Sequence, residues 1–322
     1  MEAKSYLGSV FAESTKRTYM SYLRAYLRYC SYFSRKPVPA DQATLVGYVA
    51  FLARSIIPRS IGAYLNIIRI LHVSAGFANP LFNNWEINML KRAIARVHGS
   101  PPQQKLPITI EILLDIRELL NFSDNRDICF WAACLVAFFG FLRKSSLLMK
   151  SAKSDPKSGI CRFDVTDLSQ HSFSLRIRNS KTIQFGQRVL TLPYAACKIS
   201  ELCPVRAVVN HLTSSRLNCD SPLFAYTCGK KVKAITYCTF TSMLKAKLSL
   251  AGYNPKLISA HSFRRGGTSF AIASGMDPVV VKARGDWSSN AFERYVYLLD
   301  KSTMRAAKRM SKAVVRCSSK HR

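Results

Sequence analysis

A mainly α chain with one small β-hairpin (an α+β architecture in two domains) is what this sequence predicts, and three features predict it. Apolar residues recur at three- and four-residue spacing through the first hundred positions, without strand-like alternation. His98 to Lys105, rich in Pro, Gly and polar residues, interrupts that pattern. Farther on, one stretch from Phe173 to Pro193 changes its period to two. The expected layout is a four-helix domain over 1–100, a linker over 101–106 and a larger domain over 107–322.

In the first domain, Tyr19, Leu23, Tyr26, Leu27 and Cys30 fall on one face of a helix with a capping Ser or Thr at its start. Lys16, Arg17, Arg24 and Arg28 fall on its other face, a basic stripe suited either to a phosphate backbone or to plain solvation. Pro37 and Pro39 end it, because the residue before a proline is pushed out of the helical region. Asp41 or Thr44 caps a second helix running to Arg54. Ser60 opens a third through Ile61, Leu65, Ile68 and Leu71, and Asn84 to Arg96 forms a fourth.

In the second domain Pro107 and Thr109 precede a helix from Ile110. The apolar run Ile128 to Leu142 reads as a buried core helix, ending in Gly-Phe-Leu-Arg-Lys-Ser-Ser-Leu-Leu over 140–148. Phe173, Leu175 and Ile177 alternate with polar residues, Asn179 to Thr182 can turn, and Val189, Leu190 and Leu192 lead out. This is a β-hairpin with Lys181 at or near its tip and with Arg176, Arg178 and Arg188 along it. Cys203-Pro204 starts a helix over 205–212, and residues 223–250 contain another, with Ser242, Lys245 and Lys247 on a basic face.

Charge narrows the function. Lys and Arg number 48 against 18 Asp and Glu, a net +30, so a polyanionic partner is expected; nucleic acid fits best, with ribosomal or anionic-membrane association as alternatives. No apolar run reaches the length of a membrane span, and Met1 to Phe11 lacks the apolar core of a secretory leader. The ten cysteines are scattered without a Cys-x-x-Cys pair, which favours reduced thiols in an intracellular protein over disulfides or a zinc ribbon.

The most informative stretch runs from His261 to Tyr297. It reads His-Ser-Phe-Arg-Arg-Gly-Gly-Thr-Ser-Phe, then Arg-Gly-Asp-Trp-Ser-Ser-Asn-Ala-Phe-Glu-Arg-Tyr-Val-Tyr. It gathers an imidazole, several guanidiniums, an indole and two phenols, with few carboxylates. Guanidinium forks match pairs of phosphate oxygens, whereas metal-dependent phosphoryl transfer needs clustered acids, so no metal and no cofactor is expected.

This order of residues resembles the boxes of tyrosine recombinases, the phage-integrase-like enzymes that break and rejoin DNA. The pattern His-x-x-Arg, then His or Trp, then Tyr falls on His261, Arg264, Trp287 and Tyr295, with Tyr297 two places beyond. The box at 140–148 resembles the one that carries the family's first catalytic arginine, which puts that role on Arg143. The acidic residue usual three places later is Ser146 here. By the same resemblance the first four helices form a SAM-like core-binding domain, Lys181 is the general acid of the hairpin, and Tyr295 is the nucleophile of a 3′-phosphotyrosyl intermediate formed without metal or ATP. Lys16, Arg17, Arg24, Arg28, Arg176, Arg178, Arg188, Lys245 and Arg265 would contact double-stranded DNA.

The form Gly-Asp-Trp-Ser-Ser looks most like recombinases of eukaryotic mobile elements of the Crypton and DIRS-like kinds. That implies a nuclear location in a eukaryote, or the nucleoid or cytoplasm otherwise. The resemblance also implies a dimer on paired half-sites and a tetramer at synapsis. A domesticated noncatalytic DNA-binding protein and a type IB topoisomerase-like enzyme are the competing readings. The basic tail after Tyr297, with Met304, Ala306, Ala307, Met310, Ala313 and Val314, reads as a helix wanting an apolar dock.

Overall fold

The computed structural model describes residues 10–101, 103–155, 159–183, 185–197 and 201–295, of which Ala291, Arg294 and Tyr295 are described by their backbone alone. Tyr297 and the basic tail lie outside these residues. The chain divides into two compact units, 1–103 and 104–322.

Four helices build the first unit: α1 (Glu13–Tyr32), α2 (Gln42–Ala53), α3 (Pro58–Ser74) and α4 (Trp85–His98). Their shared core holds Tyr26, Leu45, Tyr48, Leu52, Ile61, Leu65, Ile68, Ile87 and Ile94. Asp41 caps α2 by accepting from the Thr44 amide at 2.7 Å, and Asn84 caps α4 by accepting from Ile87. Two helix starts differ from the expectation. The residue preceding α1 is Ala12, which has no capping oxygen, and α3 begins two residues before Ser60 because Pro58 takes the first-turn position that suits its missing N–H. Leu27 is exposed rather than packed. Lys16 pairs with Glu13 one turn away, while Arg17, Arg24 and Arg28 are exposed.

The second unit is organised around α6 (Asn125–Phe139), which follows α5 (Ile110–Glu118) and is buried on every side from Asp127 to Phe138. A helix apolar all round needs neighbours all round. They are α8 (Pro204–Ser214), the hairpin of β4 (Ala225–Cys228) and β5 (Lys231–Ala234), and α10 (His261–Ala273); the one-turn α7 (Lys144–Leu147) follows its end, and α9 (Tyr237–Leu250) adds Phe240 against Phe130.

The three-stranded antiparallel sheet has the order β1 (Val165–Thr166), β2 (Ser172–Ile177), β3 (Leu190–Ala195). Its register pairs Phe173 with Tyr194, Leu175 with Leu192 and Ile177 with Leu190, so the alternation read from the sequence turns one face of β2 to the core. Val189 falls outside the strand and is exposed.

The stretch read as linker ends on the second unit. The Leu106 amide donates to the Leu257 carbonyl, and the Ile108 amide donates to the Ser262 carbonyl at the start of α10. No helix among the described residues is long and apolar enough to cross a membrane, and no disulfide forms among them.

Candidate functional site

Two helix ends and one buried guanidinium make the frame of the site. α6 ends in a motif in which the Leu142 amide reaches back to the Ala137 carbonyl and the Phe141 amide to Phe138. α11 (Pro278–Arg284) ends in the same way, with Trp287 bonded to Lys282 and Asp286 to Ala283. Such an end requires a left-handed residue just past the cap, a place usually taken by glycine. Here it is taken by Phe141, at φ 51°, and Asp286, at φ 56°. A side chain is thereby kept at each of these corners at a conformational cost of about 1 to 3 kcal/mol.

Arg264, 2% exposed, joins the two ends. One terminal nitrogen donates to the Phe141 carbonyl, the other donates to the Gly285 carbonyl at 2.7 Å, and the guanidinium lies over the Trp287 ring, 3.7 Å from its centroid. Carbonyls leave the positive charge in place. The Gly266-Gly267 pair makes this approach possible, because a Cβ at Gly267 would collide with the Phe138 carbonyl and the Phe141 ring, and one at Gly266 with the Ile108 carbonyl. Gly285 does the same for the Trp287 ring.

Arg143 follows this first corner directly and is partly exposed. His261 opens α10 at the surface. Its imidazole is held below the ordinary histidine pKa, first by burial and then by the charges of Arg264, Arg143 and Arg265. Four of the residues singled out in the sequence, Arg143, His261, Arg264 and Trp287, thus share one site. Nothing in it resembles a metal centre: no group of three or more His, Cys, Asp or Glu among the described residues is placed to hold an ion.

Lys181 is exposed at the tip of the β2–β3 hairpin, where Ser180 and Ile183 exchange backbone hydrogen bonds around Lys181 and Thr182. The tip is fastened to the second corner. Asp286 accepts from Thr182 Oγ1, from Ser180 Oγ at 3.4 Å and from the Arg188 guanidinium. Burial alone would raise its carboxyl pKa, but these hydrogen bonds and the Arg188 charge hold it below the ordinary aspartate value.

Beyond Trp287 the chain makes a 3-10 segment, Asn290–Tyr295, packed against α10. Phe292 secures it, 7% exposed and 6.0 Å from Trp287 between ring centroids. The backbone of Tyr295 ends this segment.

The flanking basic residues divide into two groups. Arg176 and Lys245 are exposed. Arg178, expected on a phosphate-facing surface, instead donates to the fully buried Asp164, at 2.8 Å from Nε and 2.9 Å from a terminal nitrogen, and to the Gly159 carbonyl. A carboxylate with no solvent exposure requires such a partner. Arg188 pairs with Asp286, Arg265 donates to the Lys105 carbonyl, and Lys247 donates to Leu119 and Asp127.

Sequence reasoning missed Asp286 and Arg284. Arg284 donates to the Phe139 and Pro193 carbonyls and braces α11 against the end of α6 and β3. The one available signal was an acid standing immediately before Trp287 in a chain so poor in acids.

No family model matches the sequence. The chain is 23% identical over 288 residues to an integrase/recombinase XerD homolog of Selenomonas ruminantium, a match spanning 87% of this chain and 80% of that relative. Solved structures of similar fold include the Tn1549 transposon integrase in complex with circular intermediate DNA. It has a TM-score of 0.58 at 12% identity, over 95% of this chain and 97% of that one. A lambda integrase dimer bound to a core site gives 0.57 at 13% identity, over 91% and 92%. The XerH site-specific recombinase bound to its palindromic substrate gives 0.51 at 14% identity, over 83% and 69%.

Proposed function

We propose that this chain is a tyrosine recombinase that breaks and rejoins double-stranded DNA through a 3′-phosphotyrosyl bond to Tyr295. The observation that carries this reading is the convergence of Arg143, His261, Arg264 and Trp287 in one site, with the Tyr295 backbone on the segment that Phe292 packs beside Trp287.

The chemistry follows from the placement of each group. Tyr295 Oη attacks phosphorus and passes its proton to His261, whose imidazole is kept neutral beforehand by burial and by three neighbouring guanidiniums. Arg143 contacts the nonbridging oxygens directly. Arg264 supplies a fixed positive field from beneath, oriented before the reaction starts and therefore costing no reorganisation during it. As the P–O5′ bond breaks, its electron pair stays on the 5′ oxygen, which takes a proton from the Lys181 ammonium. The new phosphodiester to tyrosine retains the bond energy, so a 5′ hydroxyl reverses the step without ATP.

Arg17, Arg24 and Arg28 on α1, with Arg176 and Lys245 in the second unit, contact phosphates in this reading, as their exposure supports. Assembly as a dimer on paired half-sites and a tetramer at synapsis, action on a mobile element, and a nuclear location are parts of the same proposal.

Trapping tests it. Nicked duplexes, enriched from a random pool by binding to the full chain, are incubated with the protein in excess EDTA and resolved under denaturing conditions. A covalent protein–DNA adduct is expected. DNA binding without any adduct would favour a noncatalytic DNA-binding protein, and an adduct that requires added magnesium would overturn the metal-free mechanism.

A further inference from the structure

We infer that Asp286 is a positioning residue for the leaving-group proton, its carboxylate clasping the tip of the β2–β3 hairpin and so fixing Lys181 relative to Trp287. This rests on the reading of Lys181 as the proton donor.

Three observations support it. First, Asp286 occupies the left-handed corner that ends α11, where glycine would close the same hydrogen bonds with less strain. A side chain there serves something other than the helix end. Second, the groups that side chain accepts from all come from one loop: Ser180 and Thr182, the two neighbours of Lys181, and Arg188 on the returning arm. Third, the next residue along the chain is Trp287, on which Arg264 stacks. One carboxylate therefore couples the hairpin tip to the frame that holds Arg264.

The coupling matters because a lysine ammonium rides on a flexible four-carbon stem and is only as well placed as the backbone beneath it. Ile183, fully buried, seats the loop on one side of the tip, and Asp286 fixes its approach to the site. A displacement of about 1 Å in a reacting group can cost about a hundredfold in rate.

The Tyr295 Oη–P bond forms, the P–O5′ bond breaks, Lys181 passes a proton to the 5′ oxygen and becomes a neutral amine, and the phenol proton goes to His261. If the bridging 5′ oxygen is replaced by sulfur, the leaving group is a thiolate. With a thiol pKa of about 8.5 it departs without the proton that an alkoxide requires.

The test uses two nicked duplexes that differ only in that atom, and follows adduct formation by the full-length protein and by Lys181→Ala, Asp286→Gly and Thr182→Val. Asp286→Gly removes the carboxylate yet suits the left-handed corner, so its thermal unfolding is expected to stay close to that of the parent protein. On the oxygen substrate Lys181→Ala and Asp286→Gly should cleave about a hundredfold more slowly, and Thr182→Val less so. On the sulfur substrate all three should recover to within about tenfold of the parent, the span of one unit of proton affinity. Asp286→Gly that cleaves the oxygen substrate at the parent rate, or that is slowed equally on both substrates, overturns the inference. Parent protein that forms no adduct on either substrate overturns the reading beneath it, and this inference with it.

Discussion

The guanidinium of Arg264 lies over the indole of Trp287, 3.7 Å from the ring centroid, while its terminal nitrogens donate to Phe141 and Gly285. One side chain therefore ties together two helix ends that are distant in sequence. Lysine has no planar fork with which to hold two carbonyls while stacking on a ring. Arg264→Lys is accordingly expected to destabilise the second unit by about 2 to 4 kcal/mol, through carbonyls left unpaired in the interior, as well as to abolish adduct formation. Denaturant unfolding measures the first effect. An unchanged midpoint would show that Arg264 is not part of the frame.

Arg176 and Arg178 stand two residues apart on the same strand and its extension, yet they should behave oppositely. Arg178→Ala strands the buried Asp164 carboxylate, at about 3 to 5 kcal/mol of stability. Arg176→Ala should leave stability unchanged and reduce the slope of log affinity for DNA against log salt by about one. Thermal unfolding combined with a salt titration of both variants checks this. Equal effects on the two assays would refute the division.

Close packing midway along α10 gives a third expectation. A methyl group at Gly267 meets the Phe138 carbonyl and the Phe141 ring, and neither is a flexible chain end that can step aside. Gly267→Ala should cost about 1 to 3 kcal/mol and lower cleavage by displacing Arg264. If stability and cleavage are both unaffected, the contact between α10 and the end of α6 is looser than described.

His211 predicts a pH dependence of stability. It is fully buried, its Nε2 donates to the Leu223 carbonyl at 2.7 Å, and burial depresses its pKa from 6.5 to about 4. A depressed histidine pKa means that the unfolded chain binds the proton first as pH falls. Its contribution is therefore fully present above about pH 6.5 and is lost progressively toward pH 4, by up to about 3 kcal/mol. His211→Gln, which can keep an N–H without titrating, should flatten the stability profile in that window. An unaltered slope would place the titration elsewhere.

How much the sequence disclosed follows from how local each signal is. The alternation of β2 and the cap Asp41 carry their structure within a few positions and stand where the sequence placed them, whereas the α6 helix ends at Phe139, three residues before the apolar run does. The hairpin of β4 and β5 did not announce itself, because Lys231, Val232 and Lys233 are all exposed and leave no apolar alternation. Within the site, Arg143, His261, Arg264 and Trp287 stood out by order and residue type. What Arg178, Arg188 and Asp286 do was hidden, since each depends on a partner across the fold: Asp164 for the first, and one another for the other two. Basic residues look alike in a sequence with a net charge of +30; only burial of the partner acid separates a structural arginine from one available to phosphate.

Identifying the DNA-linked residue tests the central claim most directly. After trapping on a nicked duplex, the adduct is digested with protease and nuclease, and the nucleotide-bearing peptide is sequenced by mass spectrometry, with Tyr295→Phe and Tyr297→Phe run in parallel. The account predicts a phosphotyrosyl linkage at Tyr295, loss of the adduct in Tyr295→Phe with DNA binding retained, and persistence of the adduct in Tyr297→Phe. An adduct that survives in Tyr295→Phe and maps to Tyr297, or to any other residue, would contradict it.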